Sequence, residues 1–246
     1  MGFSKVSDQY ERGRPGYPPA AVEWIAAGAG LGPGSVIVDL AAGTGKLTRV
    51  LTGTGARVIA VEPIAEMRAQ LTTMLPGVEA LEGTAEAMGL PDGSADAVTV
   101  AQAFHWFATD EALAEVSRVL RPGGWLALVW NERDIDQPLQ AEIRRILAPY
   151  EGETPRHGSG TWQRLMSETP RFEAAGEFHM RTEQELDEDG LAERVGSTSF
   201  VANLPADERA SLLGEVRQLV PASGSVTLRY DTVVYGYRKA DVGTDR

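Results

Sequence analysis

The chain has 246 residues, of which 35 are acidic and 23 are basic, and its formal net charge is -12. An acidic surface repels phosphate groups, so we expect neither nucleic acid nor a membrane as a partner. The absence of cysteine excludes disulfides, thiol nucleophiles and thiolate zinc sites. The N-terminal residues have no apolar signal core and no run reaches membrane-spanning length, which predicts a cytoplasmic protein. We expect a monomer or a homodimer.

Residues 36–130 alternate between strand-like and helix-like segments. Short β-branched runs, typical of parallel strands that are buried on both faces, are followed by amphipathic segments. The predicted elements, in chain order, are a strand at 35–40, a helix at 46–53, a strand at 56–62, a helix at 65–75, strands at 78–83 and 95–102, a helix at 110–120 and a strand from 125. This order predicts an α/β fold with a doubly wound, Rossmann-like, mostly parallel sheet.

The two flanks of this region are less regular. Residues 1–30 hold a tyrosine- and proline-rich arm followed by a helix. Residues 226–238 alternate like a strand, which we expect to join the sheet edge in the antiparallel direction. We therefore expect one domain over residues 1–246, with its core at 35–134 and a cap-like insertion at 135–225.

A glycine loop follows the first strand in the stretch DLAAGTGKL. Asp39 ends the strand, and Gly43 and Gly45 let the backbone turn tightly while a ligand lies against it. The second strand ends at Glu62, where a carboxylate can bind ribose hydroxyls. A plain tight turn and a solvated strand end are the alternatives. The order of strand, glycine loop, helix, strand and acid favours a nucleoside ligand.

Two residues near this loop bear on which nucleoside ligand it binds. Thr48 stands where a dinucleotide fingerprint has its third glycine. Asp39 would repel a pyrophosphate and attract an ammonium group. Both features favour an adenosyl ligand with an amino-acid tail over NAD. Arg14, with Tyr10 beside it, could pair with the carboxylate of such a tail, the alternative being an exposed arginine of a terminal arm.

The segments VIVDLAAGTGKLTRVL, VIAVEP, EGTAEAM, DAVTVAQAFHW and RVLRPGG resemble, in order, the signature segments of class I S-adenosylmethionine-dependent methyltransferases. This resemblance covers about residues 36–134. The arm YERGRPGYP and the stretches AQAFHWF and WNERD are similar to methyltransferase type 11-like enzymes of small molecules, a subgroup that includes trans-aconitate methyltransferase-like proteins. The resemblance implies a seven-stranded sheet, S-adenosylmethionine as the cofactor and a small-molecule methyl acceptor.

The resemblance also implies roles for individual residues. Asp39 resembles the carboxylate near the methionine amino group, Glu62 the ribose-binding acid, and Met67 a side chain that packs near the adenine. Thr84 stands where the family often has Asp, which leaves Thr84 and the backbone of Ala85 as adenine contacts. The remaining cofactor residues that it implies are Ala41, Gly43, Thr44, Gly45, Pro63, Glu86 and Gln102, the last where the family contacts the methionine portion.

The stretch AQAFHWF, residues 101–107, lies at the carboxyl end of the predicted fourth strand, where doubly wound sheets bind ligands. His105 is a candidate general base for a hydroxyl or amine acceptor. It could instead only shape the pocket, because methyl transfer can rely on alignment alone. Aromatic rings attract a sulfonium cation, so Tyr17, Phe104 and Trp106 are candidates for the acceptor side, with core packing as the alternative.

The fifth predicted strand ends in WNERD, at the same edge of the sheet. Asn131 and Arg133 could meet a polar or anionic acceptor there, with a loop salt bridge as the alternative for Arg133. We expect no metal, because the fourth strand ends in Gln102 rather than in an acid. Further candidates come from the cap: Trp162, Arg194, Ser197, Ser199 and Phe200.

These features predict an enzyme that transfers a methyl group from S-adenosylmethionine to a small molecule. The expected acceptor atom is an oxygen, in a carboxylate or a natural-product hydroxyl. Two alternatives stay open. The first is an S-adenosylmethionine-binding protein that only binds the ligand or catalyses a reaction other than methyl transfer. The second is a NAD-dependent oxidoreductase, which Thr48 and Asp39 oppose.

Overall fold

The computed structural model describes residues 14–151, 158, 160–222 and 224–241. The helices in these ranges are α1 Pro19–Ala29, α2 Lys46–Leu51, α3 Ala65–Met74, α4 Asp110–Val119, α5 Pro138–Leu147, α6 Thr161–Glu168, α7 Glu188–Gly196, α8 Ser199–Ala202 and α9 Ala206–Arg217. The strands are β1 Val36–Leu40, β2 Arg57–Val61, β3 Glu79–Leu81, β4 Ala95–Ala101, β5 Leu120–Arg133, β6 Phe172–Leu186 and β7 Val226–Lys239. Across the described ranges, no helix combines the length and the apolar character that crossing a membrane would require.

The strands form one seven-stranded sheet in the order β3-β2-β1-β4-β5-β7-β6. The pairs β1–β2, β1–β4, β2–β3 and β4–β5 are parallel, and the sheet has an antiparallel edge. The predicted doubly wound α/β class is therefore confirmed. Two details differ from the prediction: β7 lies second from the edge, and the outermost strand is β6, which the sequence did not predict.

The chain divides into two compact units. The larger unit holds the described residues of 17–130, 158–180 and 232–241, and the smaller unit holds those of 14–16, 131–151 and 181–231. Residues 160–180, which the sequence placed in the cap, thus belong to the larger unit. The expectation of one domain with a cap stays a prediction.

The larger unit has an apolar cluster on each face of its strands. Along β1, Val38 and Leu40 belong to one cluster and Ile37 belongs to the other. Successive side chains of a strand point to opposite faces, so this alternation puts the two clusters on opposite sides of the sheet. Strand β5 follows the same rule, with Leu128 in the first cluster and Val129 in the second. Both faces are buried, as the apolar runs in the sequence predicted.

The smaller unit has its own apolar cluster. It is formed by side chains of α5, α7, α8 and α9 together with residues of β6 and β7, among them Leu147, Leu191, Leu212 and Tyr230. Helix α5 has its apolar side chains Ile143, Ile146 and Leu147 buried and its arginines exposed, as an amphipathic helix on a core should. The unit therefore has a core that can hold polar side chains in fixed positions.

Candidate functional site

The glycine loop follows β1 in the larger unit, and its two glycines have different roles. A Cβ on Gly45 would lie 3.0 Å from Cγ of Leu71 and 3.1 Å from Cδ1 of Leu75, so the close packing against these residues requires glycine. A Cβ on Gly43 would have no atom within 4 Å. Both residues have positive φ, 58° at Gly43 and 88° at Gly45. Gly45 therefore serves the packing of the fold, whereas Gly43 borders open space that a ligand can enter.

Glu62 joins this loop to the end of β2. Its side chain is only 4% exposed. One carboxylate oxygen, Oε2, accepts a hydrogen bond of 2.8 Å from the Gly43 amide, and Oε1 accepts one of 2.9 Å from the Ile64 amide. Each carboxylate oxygen has two lone pairs, so both can accept a further bond from a hydroxyl group. The carboxylate is thus fixed beside Gly43 and keeps capacity for a ligand.

Asp39 is buried and holds the neighbouring elements together. The hydroxyl of Thr48 donates to its Oδ2 over 2.6 Å, and that of Thr99 donates to its Oδ1 over 3.1 Å. Burial raises the pKa of Asp39 to about 6, and the two threonine hydroxyls limit the rise. These contacts make Asp39 a residue that positions α2 and β4 against β1. Its contact with a ligand ammonium stays a prediction.

Ala41 and Gln102 have left-handed backbones at the ends of two neighbouring strands. They are the non-glycine residues with positive φ in the part of the chain that the structure describes, with values of 55° and 58°. A left-handed backbone costs a residue with a Cβ about 1–2 kcal/mol. The Gln102 amide is held by the carbonyl of Val129 over 2.9 Å. Strain of this kind concentrates where a structure serves a ligand.

The segments after β2 and β3 hold the residues predicted to contact adenine. Met67 is half-buried, and Ile64, which the sequence did not suggest, exposes 47% of its large apolar side chain next to Glu62. Thr84 is exposed and exchanges backbone hydrogen bonds with Ala87. The Ala85 side chain is buried in the core, so only its backbone is available. The other two predicted residues in these segments, Pro63 and Glu86, are both exposed.

The aromatic stretch after β4 contains both packing residues and accessible residues. Phe104 is 1% exposed and its ring meets that of Trp162 edge-on at 6.4 Å between centroids. Trp162 is itself buried and stacks on Trp130 at 4.6 Å. Both rings belong to the core, as the packing alternative expects, and their contact with an acceptor stays a prediction. Trp106 is 50% exposed, and the half-buried ring of His105 lies 5.3 Å from it.

Comparison with known proteins identifies the family of this chain. The family model described as a methyltransferase domain matches residues 38–128. The chain is also 40% identical over 239 residues to an uncharacterized methyltransferase of Mycobacterium tuberculosis strain H37Rv, covering 95% of this chain and 93% of that protein. The chain belongs to the class I S-adenosylmethionine-dependent methyltransferases. An uncharacterized methyltransferase-like protein of Schizosaccharomyces pombe is 34% identical to it, over 94% of this chain and 92% of that protein.

Solved structures share the fold of this methyltransferase. A candidate type II methyltransferase from Anaeromyxobacter dehalogenans has a TM-score of 0.67 at 24% identity, covering 92% of this chain and 97% of that one. The geranyl diphosphate C-methyltransferase of Streptomyces coelicolor A3(2), solved with Mg²⁺, geranyl-S-thiolodiphosphate and S-adenosyl-L-homocysteine, has a TM-score of 0.52 at 14% identity, over 90% of this chain and 76% of that one.

The remaining predicted residues of the methyltransferase have structural surroundings of different kinds. Tyr17 is half-buried against an apolar cluster of the larger unit, and Phe200 is half-buried against that of the smaller unit. Asn131 is buried, and its side-chain amide donates to the Gly16 carbonyl over 3.1 Å. Thr44 is buried within the glycine loop. Tyr10 lies outside the described residues.

Two arginines of the smaller unit have partners that the sequence did not predict. Arg14 donates from Nη2 to the Ser197 carbonyl over 3.0 Å, so its predicted pairing with a cofactor carboxylate stays a prediction. Arg194 donates from Nε to the Tyr230 hydroxyl over 2.8 Å. Within the described ranges, no group of three or more histidine, aspartate and glutamate side chains is placed to hold a metal ion in this methyltransferase.

Proposed function

We propose that this methyltransferase binds S-adenosylmethionine at the glycine loop and methylates an oxygen of a small molecule, either a carboxylate or a natural-product hydroxyl. The observation that carries the proposal is the position of the Glu62 carboxylate. It is hydrogen-bonded to the amide of Gly43, the glycine that borders open space. A carboxylate with spare acceptor capacity in that position suits two adjacent ribose hydroxyls.

The residues around Glu62 fit an adenosyl group. Ile64 offers an exposed apolar surface for one face of an adenine ring, with Met67 in the same segment. The strained Gln102 follows β4, the strand that neighbours β1. When bound, S-adenosylmethionine supplies a methyl group on a positively charged sulfonium. The role of the protein is then to hold the acceptor in line with that methyl group and to exclude water.

The buried Thr48 supports an adenosyl amino acid over a dinucleotide. Dinucleotide-binding folds use a third glycine at this position, so that helix and strand can pack closely near the pyrophosphate. Here the Thr48 side chain is fully buried and its hydroxyl is bonded to Asp39. The position of the third glycine therefore carries a hydroxyl side chain that is bonded to the carboxylate of β1.

The proposed acceptor is small, and oxygen is the proposed acceptor atom. His105 is half-buried in the turn after β4, where it could take the proton of a hydroxyl acceptor. A carboxylate acceptor needs no base. The Streptomyces coelicolor enzyme that shares this fold is named for a small-molecule acceptor, geranyl diphosphate. Its acceptor agrees with the proposed size of the acceptor here, but its acceptor atom is carbon rather than oxygen.

Calorimetry with purified protein tests the proposal. We expect S-adenosylmethionine and S-adenosylhomocysteine to bind and NAD not to bind. Glu62→Gln should weaken binding at least about tenfold, because one ribose hydroxyl loses a charged acceptor. Glu111→Gln, which changes an exposed carboxylate in α4, serves as the matched control. Binding of NAD alone would refute the proposal, and bound ligand without a methylated product across acids and phenols would limit it to binding.

A further inference from the structure

Arg133 lies at the end of β5 and has no ion-pair partner in the described ranges. Among the residues that the structure describes, it makes no hydrogen bond and no ion pair. Its side chain is only partly exposed. Burial, and next the positive charge of Arg194, lower the pKa of Arg133 to about 10, with Arg14 acting in the same direction and Tyr230 and Glu151 against it. A guanidinium this deep in the protein is expected to have an anionic partner.

Strand β7 connects Arg194 with the end of β5. The amide of Asp134, next to Arg133, donates to the Arg229 carbonyl over 3.1 Å. Arg194 is bonded to the following residue, Tyr230. Its Nε donates to the Tyr230 hydroxyl over 2.8 Å, and its guanidinium carbon lies 5.6 Å from the centre of the Tyr230 ring. Tyr230 is buried, and its hydroxyl also lies 3.4 Å from Oε1 of Gln184. Within the described part of the chain Arg194 forms no ion pair. The Tyr230 hydroxyl thus orients the Arg194 guanidinium without supplying a carboxylate.

Arg14 is attached to the helix that carries Arg194. Its Nη2 donates to the Ser197 carbonyl, at the end of α7, over 3.0 Å. The hydroxyl of Ser197 in turn donates to the carbonyl of Arg194 over 2.8 Å. Arg194 and Arg14 both act on the charge of Arg133, so segments before α1, at the end of β5 and in α7 contribute to one positively charged region of the smaller unit.

Three other arginines of this unit are paired with carboxylates. Arg145 faces Glu142, Arg217 faces Asp189 and Arg229 faces Glu183. The chain has 35 acidic and 23 basic residues, so carboxylates are abundant. The Glu151 carboxylate acts on Arg133 but forms no ion pair with it. Two neighbouring guanidinium groups without an ion pair lower stability, and a bound anion would supply the missing charge.

We propose that Arg133 and Arg194 form a binding site for an anionic group of a small molecule, namely a carboxylate or a phosphate. We name it the arginine site. The planar guanidinium presents pairs of N–H donors that match two oxygens of such a group, which an ammonium cannot do. Both arginines belong to the smaller unit, and the inference does not require the anion to be part of the methyl acceptor.

Binding of simple anions to the whole protein tests the arginine site directly. The probes are succinate, citrate and inorganic phosphate, measured by calorimetry in a zwitterionic buffer without added salt. We expect at least one of them to bind, and Arg133→Gln and Arg194→Gln each to weaken that binding at least about tenfold. Arg229→Gln, an exposed arginine of the same unit that is paired with Glu183, should bind as the wild type does. The carboxylate and phosphate arms distinguish the two ligand sources.

The melting temperature is a second measurement. Replacing a ligand-binding arginine should raise it in the absence of anion, whereas replacing an arginine that only stabilises the fold should lower it. In anion-free buffer we expect Arg133→Met to melt above the wild type, because the variant removes an unpaired charge and keeps the apolar stem. With a saturating probe, the wild type should rise past the variant, since only the wild type binds it. An Arg133→Met protein that melts below the wild type without anion, or probe binding that survives both arginine variants, would overturn the proposal.

These outcomes separate the arginine site from the proposed cofactor site. Binding of S-adenosylhomocysteine is measured on the same preparations and does not require the acceptor. If no probe binds while S-adenosylhomocysteine does, the arginine site is wrong and the proposed function stands. If a probe binds at the arginines while S-adenosylhomocysteine does not, the anion site stands and the proposed function is wrong.

Discussion

Asp39 and Thr99 face each other across the neighbouring strands β1 and β4, and the Thr99 hydroxyl donates to the buried carboxylate over 3.1 Å. Thr48 donates to the other carboxylate oxygen. Two hydroxyl donors do not replace the hydration that the carboxylate loses, so burial raises the pKa of Asp39 from its ordinary 3.8 to about 6. The fold therefore binds the proton of Asp39 more tightly than the unfolded chain does.

Asp39→Asn should change how the stability of this methyltransferase depends on pH. Below pH 3.8 Asp39 is protonated in both states, and above pH 6 it is ionised in both, so the wild type loses about 3 kcal/mol of unfolding free energy across that window. The variant has no such loss. The unfolding free energy of the variant relative to that of the wild type should rise by about 1.4 kcal/mol between about pH 5 and pH 7.5, as measured by urea unfolding. Asp136→Asn, in an exposed turn, should show no gain.

Gly43→Ala and Gly45→Ala should separate ligand binding from stability. Gly43→Ala meets no neighbouring atom, so it should lower the unfolding free energy by only about 1–2 kcal/mol. Its methyl group should still remove binding of S-adenosylhomocysteine. Gly45→Ala adds a clash with Leu71 and Leu75, so it should lower the unfolding free energy by about 2–4 kcal/mol. Urea unfolding and calorimetry check both, and equal effects of the two variants on both measurements would contradict the division of roles.

Ala41→Gly should stabilise the protein by about 0.5–1 kcal/mol. It removes the strain of a left-handed alanine at φ 55°, which exceeds the entropy that glycine adds to the unfolded chain. The neighbouring Ala42 has no positive φ, so Ala42→Gly should instead destabilise by about 0.5–1 kcal/mol. Thermal and urea unfolding of the pair decide the sign. If both variants lose stability, Ala41 is not strained.

His105→Gln should reveal whether the imidazole acts as a base. If it takes a proton from a hydroxyl acceptor, turnover should fall about a hundredfold or more, while the affinity for S-adenosylhomocysteine stays within about twofold of the wild type. His179→Gln, an exposed histidine in β6, is the control. Equal turnover of variant and wild type on the first acceptor identified would assign His105 to shaping the pocket only.

The sequence predicted six of the seven strands in the described part of the chain and missed β6, which is mostly exposed. Strands β1, β2, β4 and β5 are apolar runs, because parallel strands between two helical layers have no solvent face. In β6 only the terminal residues Phe172 and Leu186 are buried, and most residues between them are exposed. Such a segment has no apolar alternation for a pattern to detect.

The candidate site was predictable where spacing along the chain decides it. Glu62 follows from its distance to the glycine loop, because both lie at the carboxyl ends of adjacent strands. The role of Thr99 depends on the register between β1 and β4, which the sequence does not state. For Phe104 the sequence left both packing and acceptor contact open, because an aromatic residue near a strand end can point either way, and here its ring enters the core. The closeness of Arg133 and Arg194 likewise depends on folding of the smaller unit.

The order of the strands also determines how the sheet ends. One outermost strand, β3, has three residues, and Glu79 within it is paired with Arg57. The other, β6, has 15 residues and would be a long template for strand addition by a second chain. Its exposed side chains include several glutamates, namely Glu173, Glu177, Glu183 and Glu185. Like charges along an open edge disfavour edge-to-edge polymerisation, so the acidic outer strand protects the sheet from aggregation.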